Sequence, residues 1–293
     1  MKSAELPLAN ALRTDSIPPH AFFVVSAIFH YLGPALAVLL FQHVDALGVA
    51  WLRITTAALA FAIWRRPWRV FANATRPQLR LLIAMGAILA VMNSVFYLAI
   101  ARLPLGTVGA IEFLAPITLA VAGLRDPRNI VALAVAVGGV ALLTDVRIAG
   151  EPLAYVFAFA NCALFGGYIV AGHALARDGG ASGIDRLGAA MLVAAIAAAP
   201  IGLRDAMPAF HDPRLLLAAI GVGISSSVIP YVCDQLAMAR LPRSTFALLL
   251  ALLPATASLI GAIVLRQIPS PVEIAGIALV IGGVLLHRTA TAG

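Results

Sequence analysis

Two opposite charges lie inside long apolar runs of this sequence, at Arg53 and Glu112. Charged side chains are costly in hydrocarbon and usually face a cavity or a partner. Arg53 lies seven residues into the run 46–64, and Glu112 lies eight residues into the run 104–123. At about 1.5 Å per helical residue, both would lie roughly 10–12 Å below one membrane face. The matched depths predict either a static ion pair or a gated pair of charges that binds a zwitterion or exchanges a proton.

Four prolines inside the apolar runs predict interruptions of helical hydrogen bonding. Because proline has no backbone N–H, the carbonyl four residues earlier loses its donor. Irregular backbone at membrane depth is tolerated where it borders protein or a watery cavity. The runs concerned are therefore predicted to be kinked for packing, to wall a cavity, or both. The freed carbonyls, each with its proline, are those of His30 (Pro34), Glu112 (Pro116), Ser226 (Pro230) and Leu250 (Pro254).

Six further polar or aromatic side chains in the runs are candidates for lining that cavity. Any of them could instead form an interhelical hydrogen bond or pack as a buried aromatic ring, and the same holds for the further candidates Tyr31, Phe165, Ser225 and Tyr231. Together with Arg53 and Glu112, the six make up the predicted substrate-binding or coupling residues: His30, Asn93, Tyr97, Asn161, Tyr168 and Ser226.

The sequence lacks recognisable enzyme motifs. It contains no His-Glu-x-x-His, no Walker loop and no dinucleotide fingerprint. The triple serine 225–227 has no base at a matching depth that could activate a nucleophile. Cys162 and Cys233 are predicted to be small buried residues rather than a disulfide or a metal pair. We therefore predict no catalytic residue, no metal and no bound cofactor, and we leave proton coupling open.

Composition decides which elements must position these residues. Of the 293 residues, 62% are hydrophobic and 11% are charged, and the mean hydropathy is +0.99. A soluble domain carries about 25% charged residues, so this chain is predicted to be an all-α integral membrane protein. Its excess of basic residues lies between the apolar runs, which is typical of membrane topology rather than of nucleic-acid binding. The predicted partners are the lipid bilayer and a small-molecule substrate, and a homo-oligomer is left open.

Ten runs approach the about 20 apolar residues that a spanning helix needs. The segment 1–20 before them carries three prolines and is predicted to be a short cytoplasmic tail, not a secretory signal peptide. With the N-terminus in the cytoplasm, 14 Lys and Arg fall on the inner side and 5 on the outer side, which predicts that both termini are cytoplasmic. The runs are 21–41, 46–64, 79–101, 104–123, 129–144, 152–174, 184–203, 215–238, 242–265 and 271–287.

The tetrapeptide Ala-Arg-Leu-Pro occurs twice, at 101–104 and 239–242, an offset of 138 positions. One copy follows the third run and the other follows the eighth, so the two halves would cross the membrane in opposite directions. Pro116 and Pro254 keep the same offset, and the motif Gly-Gly-Val recurs at 138–140 and 282–284. Inverted repeats are the architecture of many secondary transporters, whose substrate site lies near the bilayer midplane. A duplication in a membrane protein that moves nothing is the alternative.

The predicted architecture is therefore ten transmembrane helices in two inverted five-helix repeats, which form one transmembrane domain. The first repeat spans 21–144. A linker region, 145–183, includes helix 6 at 152–174 as the start of the second half, and 184–288 holds the remainder of the second repeat.

Three stretches of the chain resemble the EamA family of the drug/metabolite transporter superfamily, in particular its threonine/homoserine exporter branch. The resemblance extends from about 21 to 288. Where relatives often carry Glu before the proline of the ninth helix, this chain has Leu253. The stretches are FYLAIARLPLGTVGAIEFLAPI (96–117), FGGYIVAG (165–172) and ISSSVIPYVCDQLAMARLPRSTFALLLALLPA (224–255).

This resemblance implies ten helices, inverted halves and proton-linked or exchange-type efflux, and it matches Glu112 to a glutamate of the fourth helix of that branch. The expected function is a multi-pass exporter of threonine- or homoserine-like amino acids or related metabolites, working by alternating access in the inner membrane. The alternatives within transport are an importer and a broader drug, metabolite or aromatic amino-acid exporter. The alternatives outside transport are a membrane scaffold and an unrecognised intramembrane enzyme.

Overall fold

The computed structural model describes residues 18–123, 126–145, 151–177, 183–238, 240 and 252–286. All regular elements in these ranges are helical, which confirms the predicted all-α class. They are α1 (Pro19–Leu40), α2 (Ala46–Arg65), α3 (Trp68–Asn73), α4 (Arg76–Ile100), α5 (Leu105–Glu112), α6 (Leu114–Gly123), α7 (Pro127–Asp145), α8 (Pro152–Arg177), α9 (Gly183–Gly202), α10 (Met207–His211), α11 (Pro213–Gly223), a π-helical turn (Ile224–Val228), α12 (Ile229–Met238), α13 (Leu253–Leu265) and α14 (Pro271–Leu286).

Six of the described helices are long and apolar enough to cross a membrane: Pro19–Leu40, Ala46–Arg65, Arg76–Ile100, Pro152–Gly172, Gly183–Gly202 and Pro213–Asp234. Four shorter apolar helices, Leu105–Leu119, Pro127–Leu143, Leu253–Leu265 and Pro271–Leu286, overlap the remaining predicted runs. The chain is therefore a multi-pass membrane protein, and the number of ten spans stays a prediction. The tail up to residue 17, parts of the linker region (146–150 and 178–182) and the stretch 241–251 with Leu250 lie outside the described residues.

Two of the four prolines coincide with interruptions of a helix. The helix that contains Pro116 is divided at Phe113, where α5 ends and α6 begins. Ahead of Pro230, residues 224–228 widen into the π-helical turn, which continues into α12. Pro34 lies within the continuous helix α1, and Pro254 stands in the first turn of α13. The regular hydrogen bonding is thus interrupted beside Glu112 and beside Ser226, where proline withholds an N–H, but not at Pro34.

The packing of the long helices brings the two interruptions toward the centre of the bundle. Helix α1 packs along α12 and the π-helical turn, and α2 packs along α9 and against the same turn. Helix α8 packs against α4, α5 and α6. A Cβ on Gly33 would stand 2.6 Å from the Cα of Ser226, so α1 approaches this turn at backbone distance. The central polar residues are therefore held between helices from both halves of the chain.

Candidate functional site

Arg53 lies on α2, and its side chain is directed at the π-helical turn. The residue is 6% exposed. Its Nε donates a hydrogen bond to Oγ of Ser227 at 2.9 Å, and its Nη2 donates to the carbonyl oxygen of Ser226 at 3.1 Å. This carbonyl is the one that Pro230 deprives of its helical donor. The guanidinium thus satisfies a backbone acceptor that the sequence predicts to be free.

One aromatic residue of the predicted site lies against this guanidinium, and a second interacts with it electrostatically. Its carbon Cζ lies 5.4 Å from the centroid of the fully buried Tyr97 ring, within the range of a cation–π interaction. His30 interacts electrostatically with Arg53, and its ring meets that of Tyr31 edge-on at 5.1 Å between centroids. Arg53, Tyr97, His30 and Ser226 therefore form one group, which joins α1, α2, α4 and the π-helical turn.

Glu112 is the last residue of α5 and is 7% exposed. Its Oε1 accepts a hydrogen bond from Nδ2 of Asn161 on α8, at 3.1 Å. Two predicted site residues that are 49 positions apart in sequence are thereby joined. Glu112 also lies one residue before the interruption at Phe113, at the negative end of a half-helix.

The predicted direct ion pair between Arg53 and Glu112 is not formed. No nitrogen of Arg53 lies within 4.0 Å of a carboxylate oxygen of Glu112, although the two groups interact electrostatically. The reason is that each has another partner: the arginine is bound to the π-helical turn, and the carboxylate is bound to α8. Arg53 and Glu112 therefore lie in the same region of the bundle, as their matched depths predict, but they do not form a salt bridge.

Two buried polar atoms next to Glu112 have no hydrogen-bond partner in the described part of the chain. They are the hydroxyl of Tyr31 and the amide oxygen Oδ1 of Asn161. Tyr31 is completely buried, and Asn161 is 1% exposed. A Cβ on Gly109 would stand 3.2 Å from the Tyr31 hydroxyl, so this hydroxyl lies against α5 one turn before Glu112.

The remaining predicted residues are less directly involved. Nδ2 of Asn93 donates to the carbonyl of Leu89 on its own helix at 2.7 Å, so its amide is engaged in local structure. Tyr168 stacks on Phe165 at 6.2 Å and interacts electrostatically with Tyr231 and Asp234. Tyr168 thus belongs to a neighbouring polar group on α8 and α12.

Comparison with known proteins gives the family of this chain. The threonine/homoserine exporter RhtA of Escherichia coli (strain K12) is 32% identical over 257 residues, which are 85% of this chain and 84% of that protein. The protein of the same name from Salmonella typhimurium (strain LT2) is 31% identical over 256 residues, with the same shares covered. Residues 152–289 match the EamA-like transporter family. The chain belongs to the EamA-like transporter family.

This membership confirms the resemblance that the three sequence stretches indicated. A solved crystal structure has the same overall fold as this EamA-like transporter, with a TM-score of 0.58 over 91% of this chain and 96% of that chain. At 19% identity, that similarity concerns the fold alone.

Two cavities of this EamA-like transporter lie away from the central residues. They have volumes of about 220 and 470 Å³, and both are lined by Ala101 and Arg102 of the first Ala-Arg-Leu-Pro. None of the eight predicted site residues contributes to either lining. The central residues Arg53, Tyr97, Glu112 and Asn161 are all buried.

The predicted site of this EamA-like transporter left out two residues, Ser227 and Tyr31, although Tyr31 was among the wider set of polar or aromatic candidates. Ser227 accepts the Nε–H of Arg53, and its only signal was its place in the triple serine before Pro230. Tyr31 faces α5 beside Glu112, and its signal was its position next to His30, three residues before Pro34. Neither signal names a partner, since both contacts join distant parts of the chain.

Proposed function

We propose that this protein is a secondary active transporter that exports small amino acids of the threonine or homoserine type, or related metabolites, across the inner membrane. The observation that carries the proposal is the pair of buried charges in an EamA-family bundle: Arg53 is hydrogen-bonded to the π-helical turn, and Glu112 ends α5 at the interruption before α6. The names of the RhtA relatives supply the substrate class. A separated positive and negative group suits a substrate that carries both charges.

Alternating access requires two halves that can exchange roles, and the helix contacts support an inverted repeat. If α5–α6 and α11–α12 each count as one span, the described helices fall into ten spans. A shift of five spans then turns the contact of α4 with α8 into that of α12 with α1. The same shift turns the contact of α4 with α9 into that of α11 with α2. The pairs α2–α9, α5–α13 and α7–α14 are each converted into themselves.

The Gly-Gly-Val copies support the same symmetry at the atomic level. A Cβ on Gly139 would stand 2.6 Å from the carbonyl oxygen of Gly276, and one on Gly283 would stand 2.7 Å from that of Ala132. Gly283 follows Gly139 by 144 positions, and Gly276 follows Ala132 by the same number. The crossing of α7 with α14 is thus built from two equivalent contacts. We retain the division into repeats 21–144 and 184–288, with helix 6 as the start of the second half.

The two Ala-Arg-Leu-Pro arginines support a role of the repeat in gating. Cζ of Arg102 lies 5.7 Å from the ring centroid of Phe157, near the start of α8. Cζ of Arg240 lies 5.4 Å from the ring centroid of Phe22, near the start of α1. Each arginine thereby joins its own half to the first helix of the other half. With both termini cytoplasmic, Arg102 would close the outer face and Arg240 the inner face.

The test is counterflow in proteoliposomes that contain the purified full-length protein. Labelled threonine, homoserine and an aromatic amino acid are offered separately against each unlabelled solute. The proposal is supported if exchange is saturable and is inhibited by unlabelled threonine or homoserine. Exchange of the aromatic amino acid alone favours the broader exporter. Absence of flux for every solute, from protein with an intact helical spectrum, would refute transport and favour a scaffold.

A further inference from the structure

The acceptor oxygens around Glu112 outnumber the donors that the described residues offer them. The carboxylate of Glu112 accepts one hydrogen bond, from Nδ2 of Asn161. Oδ1 of Asn161 and the hydroxyl of Tyr31 form no hydrogen bond with any residue that the structure describes. Buried polar groups in folded proteins nearly always form hydrogen bonds. Two neighbouring buried atoms without a partner therefore indicate a bound ligand or an ordered water.

These oxygens lie together because of three separate constraints. The hydrogen bond between Nδ2 of Asn161 and Oε1 of Glu112 holds the amide against the carboxylate, so Oδ1 of the same amide stays beside it. The Tyr31 hydroxyl lies over Gly109, three residues before Glu112 and therefore on the same face of α5. Tyr31 and Glu112 also interact electrostatically. One carboxylate, one amide oxygen and one hydroxyl thus lie in the same region, between α5, α8 and α1.

We infer that Glu112, Asn161 and Tyr31 form the ammonium-binding part of the substrate site, with Asn161 and Tyr31 as residues that determine specificity for a primary amine. The inference rests on the proposed function and adds to it the orientation of the substrate. A primary ammonium group carries three N–H donors and a positive charge. Three oxygen acceptors, one of them charged, are the complement of that group.

The carboxylate end of the substrate is assigned to Arg53, whose guanidinium has N–H donors left over. Hydrogen bonds to Ser226 and Ser227 use two of the five N–H donors of the Arg53 guanidinium. Guanidinium is well suited to carboxylates, which it binds through parallel N–H donors. Arg53 and Glu112 are not in contact with one another, and both are buried. Opening of the buried centre during transport would let a zwitterion lie between them, with its carboxylate toward α2 and its ammonium toward α5.

The experiment compares ligands that differ at one end only. Purified full-length protein is titrated with L-threonine, with the analogue in which a hydroxyl replaces the amino group, and with L-threonine methyl ester. Binding is measured by displacement of labelled threonine. Tyr31→Phe and Asn161→Leu are compared with Tyr155→Phe, a matched control on α8 whose hydroxyl donates to the carbonyl of Leu143 at 3.4 Å.

We expect the wild type and Tyr155→Phe to bind threonine more tightly than the hydroxy analogue. In Tyr31→Phe and Asn161→Leu, the affinity for threonine should fall about tenfold, as expected for a lost hydrogen bond to a charged group. The affinity of the hydroxy analogue should change little, so the preference for the amine is largely lost. Tyr31→Phe removes a single oxygen and keeps the test valid if Asn161→Leu does not fold.

Three results would overturn the inference. An equal loss of affinity for threonine and for the hydroxy analogue would indicate a merely structural role. If Tyr31→Phe and Asn161→Leu bind threonine as tightly as the wild type but lose an effect of added sodium ions on that binding, the oxygens bind a metal cation. If both variants bind every ligand unchanged, the oxygens bind water. Failure of the wild type to bind threonine or its analogues would refute the proposed function itself, which is a distinct outcome.

Discussion

Arg53 donates a hydrogen bond to the carbonyl oxygen of Ser226, 3.1 Å away, at the point where Pro230 withholds the helical donor. The bond joins α2 of the first half to the π-helical turn of the second. π-Helical turns are rare and often occur at functional sites. A proline, a widened turn and a buried arginine therefore act together, and each can be changed separately.

Replacing Pro230 by alanine should separate stability from transport. The restored N–H can donate to the carbonyl of Ser226, so it competes with Nη2 of Arg53 and favours a regular helix in place of the turn. We expect an unchanged or higher melting temperature, with threonine counterflow reduced at least about fivefold. Pro213→Ala is the matched control, because Pro213 is the first residue of α11, where a missing N–H costs little. If Pro230→Ala and Pro213→Ala changed threonine counterflow equally, the π-helical turn would have no specific role in transport.

Glu112→Gln tests whether the carboxylate takes part in coupling. Glutamine keeps the shape and can still accept the hydrogen bond from Asn161, but it neither carries a charge nor exchanges a proton. We expect threonine transport to fall at least about tenfold and its remaining dependence on pH to disappear. The measurement is the rate of uptake into proteoliposomes over a range of symmetrical pH values. A variant with the rate and the pH profile of the wild type would show that Glu112 has only a structural role.

The two arginine–phenylalanine contacts should bias the transporter in opposite directions. Removing the ring in Phe22→Ala weakens the contact with Arg240, and Phe157→Ala weakens that with Arg102. A cation–π contact contributes about 1 kcal/mol, so the balance of the two faces should shift about fivefold. The rate of modification of Cys233 on α12 by a membrane-impermeant thiol reagent is the readout. We expect a faster rate in Phe22→Ala and a slower rate in Phe157→Ala, and a shift of the same sign in both would exclude opposed gates.

The adjacent glycines of each Gly-Gly-Val offer an internal control for the crossing of α7 and α14. A Cβ on Gly139 or Gly283 would meet a backbone carbonyl of the other helix, whereas one on Gly138 or Gly282 has nothing within 4 Å. Overpacking of this kind costs about 1–3 kcal/mol. We therefore expect Gly139→Ala and Gly283→Ala to lower the melting temperature, measured by thermal unfolding in detergent. Gly138→Ala and Gly282→Ala should leave it unchanged or raise it, because alanine favours a helix more than glycine does. Four similar values would exclude the close crossing.

Much of the fold follows from the sequence because its causes are local. The scarcity of charge makes the chain a membrane protein, and the length of each apolar run makes it helical. The interruption beside Pro116 and the free carbonyl of Ser226 follow from the missing N–H of proline. The depth of a charge along its helix is also local, and it placed Arg53 and Glu112 in one region of the bundle.

The partners of those charges were decided only by the tertiary structure. Arg53 is bound to serines more than 170 positions away, and Glu112 is bound to an amide 49 positions away. Depth along a helix does not determine which face turns toward which neighbour, because that depends on how all the helices pack. Packing placed the π-helical turn beside Arg53 and placed Asn161 and Tyr31 beside Glu112. It thereby separated the two charges that their depth alone had predicted to be a pair.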